Sequence, residues 1–210
     1  MRLRTGALIG ATLLFSCAPA SLDPASESVP TFAKGPGSAS GGELQFFSAP
    51  DAPPLSGTTV SFWAVKGADR RLTWYYQPAA GQHDSTEFVR FRVRSGSLLA
   101  APDGTPYQPG DSVLITLSLA DADRLIVDFQ PSGLTFDPNQ PAELEFRMDQ
   151  CDLDLNHDGV INNADKDLLR SSAIFRQETA ADPWEVLGTV GANTNFKAKV
   201  NGFTRYVVAY

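Results

Sequence analysis

Oxygen-bearing side chains crowd one short stretch of the sequence, D-L-N-H-D-G-V-I-N-N-A-D from Asp154 to Asp165. Asp154, Asn156 and Asp158 stand at alternate positions, where the side chains of a tight loop can turn toward one point. Gly159 follows where the chain must bend through a left-handed conformation. Val160 then offers a backbone carbonyl, Asn162 the slot often bridged by water, and Asp165 a closing carboxylate. The chemistry of such a set is coordination of a hard divalent cation, and Ca2+, which takes about six to eight oxygens at flexible geometry, suits it. Electrostatics argues the same way. Asp149, Asp152, Asp154, Asp158, Asp165 and Asp167 repel one another in a compact loop, and a bound cation reverses the sign of that energy. The competing reading is a solvated turn, since His-Asp-Gly and Asn-Asn form turns without an ion. The glycine, the apolar position Ile161 and the closing acid all fall in register with a calcium loop, and Ile161 is expected to anchor that loop to the core. A closing Asp, shorter than Glu, implies modest affinity, with Kd around ~0.1 to 1 mM as in extracellular modules.

A loop of this kind needs firm elements on both sides. The segment Ala164 to Ser172 changes to helical spacing, with Leu168, Leu169 and Ser172 on one face and Asn162 or Asn163 available as cap, so a short helix is expected there. The incoming segment PAELEFRM, Pro141 to Met148, has the alternation of a strand. Loop plus exiting helix resembles one repeat of a dockerin module, which runs in the same D-x-N-x-D-G-x-[VI]-N-x-x-D fashion. Dockerins carry two such repeats and this chain carries one. The resemblance implies calcium binding and an adhesive protein partner.

Elsewhere the pattern has period two. Val89, Phe91 and Val93 alternate with Arg90 and Arg92; Val113, Ile115, Leu117 and Leu119 with Thr116 and Ser118; Leu144, Phe146 and Met148 with Glu143, Glu145 and Arg147; Phe196, Ala198 and Val200 with Lys197 and Lys199. One buried face and one wet face are the pattern of antiparallel sheets packed as a sandwich. Turn-forming segments from Pro102 to Asp111 and Pro131 to Gly133 separate the strands. The expected fold is therefore an all-β antiparallel β-sandwich over residues 43–210, with the calcium loop and helix inserted at 149–177. The stretch LIVDFQPSGLTFDPNQPAELEF, Leu125 to Phe146, with Ile174 to Val190 and Asn195 to Tyr210, resembles the ZU-five domain named for zona occludens proteins and netrin receptors. Some relatives in that family cut their own backbone at His-Phe-Ser. Here the matching residues are Gly202, Phe203 and Thr204, so the resemblance supplies a hydroxyl in Thr204 and no imidazole to activate it. The strand reading makes Phe203 a packing residue and leaves Thr204 in water.

The chain begins MRLRTGALIGATLLFSC, with Arg2 and Arg4 ahead of a short apolar run and Cys17 at its edge. That run is too short to span a bilayer as a helix. Leu14 to Cys17 resembles the lipobox of bacterial lipoproteins, which implies cleavage after residue 16 and a lipid on Cys17; the other reading is a secretory signal cut near Ala18 or Ala20. Residues 17–42, rich in Pro, Ser, Ala and Gly, read as a flexible tether. Ala18, rather than Asp, after the cysteine resembles outer-membrane sorting where two membranes exist. Lipidation of Cys17 leaves Cys151 without an intrachain partner and excludes a structural disulfide.

Other chemistry is thinly represented. The 210 residues hold 17 basic and 24 acidic side chains, a net charge of −7, with no run of Lys and Arg that would mark a nucleic-acid site. His83, Asp84 and Ser85 are consecutive and cannot converge as a triad, and His157 points away from a calcium ion. Trp63, Trp74 and Tyr76 read as core or sheet-edge aromatics, with sugar stacking as the alternative. The sequence thus describes a lipid-anchored, calcium-binding β-sandwich of the bacterial cell envelope. It reads as a structural or protein-interaction module, not an enzyme, with carbohydrate binding, dockerin-like adhesion and self-cleavage at Phe203-Thr204 as competing readings.

Overall fold

The alternating segments become strands because each buries one row of side chains and leaves the other to solvent or to the neighbouring strand. The computed structural model describes residues 44–78 and 85–210; the segments expected to be a signal peptide and a tether, Cys17 and His83 lie outside the described residues. The strands are β1 Thr59–Val65, β2 Arg70–Tyr75, β3 Glu87–Val93, β4 Leu98–Ala100, β5 Ser112–Asp121, β6 Ile126–Gln130, β7 Thr135–Phe136, β8 Ala142–Arg147, β9 Ala173–Gln177, β10 Glu185–Val186, β11 Thr189–Ala192, β12 Asn195–Val200 and β13 Arg205–Ala209. One helix, α1 Asn163–Ser171, stands between β8 and β9.

Every strand pairing is antiparallel. One sheet has the order β1-β5-β6-β13-β9-β10, the second β11-β12-β8-β3-β2, and β4 pairs with β7 in a small third. The protein is all-β with sandwich-like layering and no closed barrel, as its sequence pattern implies. Aromatic rings join the layers. Phe91 of β3 meets Phe129 of β6 at 5.3 Å and Phe62 of β1 at 6.3 Å between ring centroids. Phe203 lies 5.6 Å from Phe91 and 5.2 Å from Phe136. Such edge-on contacts add to the large apolar area that these buried rings remove from water.

The α1 segment is the route by which the chain leaves one sheet and enters the other, because β8 belongs to the five-stranded sheet and β9 to the six-stranded one. Ala173–Gln177, grouped by sequence with the insertion, is an integral strand that pairs with β13 along its whole length. One further expectation is corrected. Thr204 is buried at 5% exposure, not wet, with its hydroxyl donating to the Arg205 carbonyl at 3.3 Å. Among the aromatics, read as core or sheet-edge residues, Trp74 and Tyr76 are interior and Trp63, 59% exposed, stands on the edge strand β1. The reason is phase: Ala64 is the buried residue of β1 and Phe62 packs against the core, so the odd position between them faces out.

Candidate metal centre

The acidic stretch enters from β8 and is tied down before its first candidate ligand. Asp149 accepts a hydrogen bond from the Thr194 hydroxyl, the Asp152 N–H donates to the Ser48 carbonyl at 3.0 Å, and Cys151 is buried, as is Leu155 just past Asp154. Burial pushes the Cys151 thiol up to about 12, with Asp149 and Asp152 adding to the effect, so this cysteine is neutral and unreactive at ordinary pH. Tyr210, at the end of the chain, donates its hydroxyl to the Leu155 carbonyl at 2.8 Å.

From there the loop folds around its own oxygens. Both carboxylate oxygens of Asp154 accept backbone N–H groups, from Asp158 at 3.1 Å and from Gly159 at 2.7 Å. His157 (φ 56°) and Gly159 (φ 84°) take the left-handed conformations that let the chain reverse, which histidine tolerates and glycine favours. Asp158 accepts from the Val160 N–H at 2.9 Å and from the amides of Asn156 at 2.9 Å and Asn162 at 3.2 Å. Asn162 also donates to the Val160 carbonyl at 3.0 Å.

The loop closes on α1 through reciprocal capping. The Asn162 side chain accepts from the Ala164 N–H at 2.7 Å, while Asp165 accepts from the Asn162 N–H at 2.8 Å and reaches across to the Asn156 N–H at 3.1 Å. Asp165 is 2% exposed. The Asn162 N–H holds its carboxyl below the usual carboxylate range; desolvation opposes this, and the N–H groups of Asn156 and Leu155 reinforce it. Hydrogen bonds thus link all six residues singled out by spacing: Asp154, Asn156, Asp158, Val160, Asn162 and Asp165.

The donor set suits Ca2+ in composition, because it offers carboxylate, amide and carbonyl oxygens with no sulfur or imidazole turned among them. Its present arrangement is a hydrogen-bonded one. Among the described residues, no three His, Cys, Asp or Glu side chains gather in the manner of a metal site. Asn156 and Asn162 turn amide nitrogens toward the Asp158 carboxylate, and the Asn156 amide oxygen accepts from the Asp158 N–H at 3.1 Å. Asp158 Oδ2 spends both lone pairs on the two amides, while each Asp154 oxygen accepts one backbone N–H and keeps a second lone pair, so an ion would compete with the amides and not with the backbone bonds that shape the loop.

Ile161 does not anchor the loop. It is 62% exposed, as is its neighbour Val160, and the buried apolar contact is made by Leu155 instead. The physical cause is the capping box, which commits the backbone at Asn162 to the helix start, while Tyr210 and Ser48 draw the first half of the loop inward. His157 is exposed in the loop, as its position implies. Neither Leu155 nor Tyr210 is recognisable from the loop pattern, since what buries one and aims the other is the return of the C-terminal strand alongside.

No family model, curated protein or solved structure matches this chain. No helix among the described residues is long and apolar enough to cross a membrane.

Proposed function

We propose that the protein is a calcium-binding β-sandwich of the bacterial cell envelope, held to a membrane by lipid on Cys17, that serves as a structural or protein-interaction module and not as an enzyme. The observation carrying this reading is the mutual bonding of all six oxygen donors in a loop already bent around Gly159. Its place is informative as well. An ion there would neutralise the acidic segment that connects the two sheets, so binding energy would become folding energy of that flank. The partly dockerin-like pattern of the loop supports the metal more than it supports any one partner.

Thermal unfolding tests it. With a Kd near ~0.1 mM, about 10 mM calcium stabilises the folded state by ~2.7 kcal/mol, which raises the melting temperature by several degrees. The variant Asp154→Ala/Asp158→Ala melts at the same temperature with and without calcium. An equal rise in both proteins would assign the effect to general ion binding. Membrane attachment is checked separately by fractionating Cys17→Ser, which is expected in the soluble fraction.

Carbohydrate binding is a second reading, favoured by the exposed Trp63. It pairs across strands with Leu114, 44% exposed, in a sheet whose adjacent pair, Ser61 and Thr116, presents hydroxyls 2.8 Å apart. Trp74, with no exposed surface, has no part in it. Glycan-array binding that survives in Trp63→Ala would end this reading.

A further inference from the structure

The outer face of the five-stranded sheet carries positive charge that its own acids do not balance. Strand register sets Arg71 of β2 opposite Arg92 of β3, Arg92 opposite Glu143 of β8, and Glu143 opposite Lys199 of β12. The next row on the same face runs Thr73, Arg90, Glu145, Lys197 and Val190. Five cations, Arg71, Arg90, Arg92, Lys197 and Lys199, and only Glu143 and Glu145 as acids, line one depression of about 490 Å³. The whole chain carries −7, so this face has the opposite sign to the molecule.

Most of those cations are engaged. Arg92 meets Asp69 at 2.5 Å and Glu143 at 3.6 Å; Arg90 meets Glu87 at 2.5 Å and Glu145 at 3.3 Å; Lys197 meets Glu145 at 3.4 Å. Among the described residues, the salt bridges include none to Arg71 or Lys199, and both are exposed. They stand at the two ends of the first row, three strand spacings or ~14 Å apart. Arg71 also faces a like charge directly across the ladder, which costs energy that an anion between the two would relieve.

We propose that this face binds an extended acidic polysaccharide laid across the strands, with carboxylate or sulfate groups meeting Arg71 at one end and Lys199 at the other. The chemistry of the face selects that occupant. A protein partner is gripped chiefly by aromatic or aliphatic anchors in desolvated pockets, whereas the centre of this face is occupied by guanidinium, ammonium and carboxylate groups. Val190, 77% exposed, stands at the margin, on the edge strand β11. A single-stranded nucleic acid stacks its bases on aromatic platforms, and the face offers only Tyr75, at its margin opposite Glu87. What the sheet presents is charge repeated from strand to strand, which fits a polymer with charge repeated from sugar to sugar.

The experiment is a calorimetric titration of the mature chain with polygalacturonate in calcium-free buffer containing EDTA, so that its outcome is independent of the metal loop. Saturable binding is expected that weakens as added salt screens the charges. Arg71→Gln/Lys199→Gln weakens it by about tenfold with an unchanged melting temperature, while Lys166→Gln/Arg170→Gln, which removes equal charge from α1, leaves it unaltered. Absence of binding to polygalacturonate, or equal weakening by both double variants, would overturn the proposal. Tighter binding to poly-glutamate or to single-stranded DNA would overturn it in favour of an acidic protein or a nucleic acid.

Discussion

Leu155 and Ile161 sit six residues apart in the same loop, and Leu155 holds the anchoring place that the loop pattern assigns to Ile161. Ile161 occupies the position where a calcium loop usually turns an apolar side chain inward, yet it is 62% exposed; Leu155 is 5% exposed beneath Tyr210. The residue types and spacing of the six oxygen donors were legible because ligand geometry is local. Which apolar residue is buried was not, because a strand returning from the far end of the chain decides it. Leu155→Ala is therefore expected to cost about 2 to 5 kcal/mol, the range for a large side chain lost from a core. Ile161→Ser should change stability by no more than about 0.5 kcal/mol. Urea unfolding of the two variants checks this, and the reverse order would restore Ile161 as the anchor.

Helix α1 is short, and its stability depends on how it begins. Asp165 closes the capping box and receives the Asn156 N–H from across the loop, so its carboxyl stays ionised below the usual value of 3.8. Glu145, on the charged sheet face, is also lowered: burial opposes ionisation there, but Asn195, Arg90, Lys197 and Arg147 together outweigh it. A carboxyl lowered on folding contributes stability that is complete above its unfolded pKa and is lost as pH falls through the folded one. Stability should therefore hold down to about pH 5 and decline below about pH 4. Acid-range unfolding is expected to show a shallower decline in Asp165→Ala than in the parent chain; identical slopes would mean that the capping carboxylate is not coupled to folding.

Strand identity followed from alternation for β3, β5, β8 and β12. The short β4, β7 and β10 carry too few residues to show a period. Face identity was legible too where phase was heeded, since Trp63 lies one residue out of step with Phe62 and Ala64. Register between strands was not. No run of Lys and Arg occurs in the sequence, but the ladder brings Arg71, Arg90, Arg92, Lys197 and Lys199 onto one surface.

The molecule as a whole joins two sheets of unequal length through aromatic contacts, and it routes the passage from β8 to β9 through the acidic loop and α1. That route explains why so much negative charge can matter to so small a region: repulsion among the Asp side chains opposes a segment on which the connection between layers depends. The central claim is that this loop binds a calcium ion. The direct measurement is isothermal titration of calcium into the mature protein, beside Asp154→Ala/Asp158→Ala under the same conditions. A saturable, single-site heat in the parent chain that vanishes in the variant is the predicted result, and indistinguishable heats in the two proteins would contradict it.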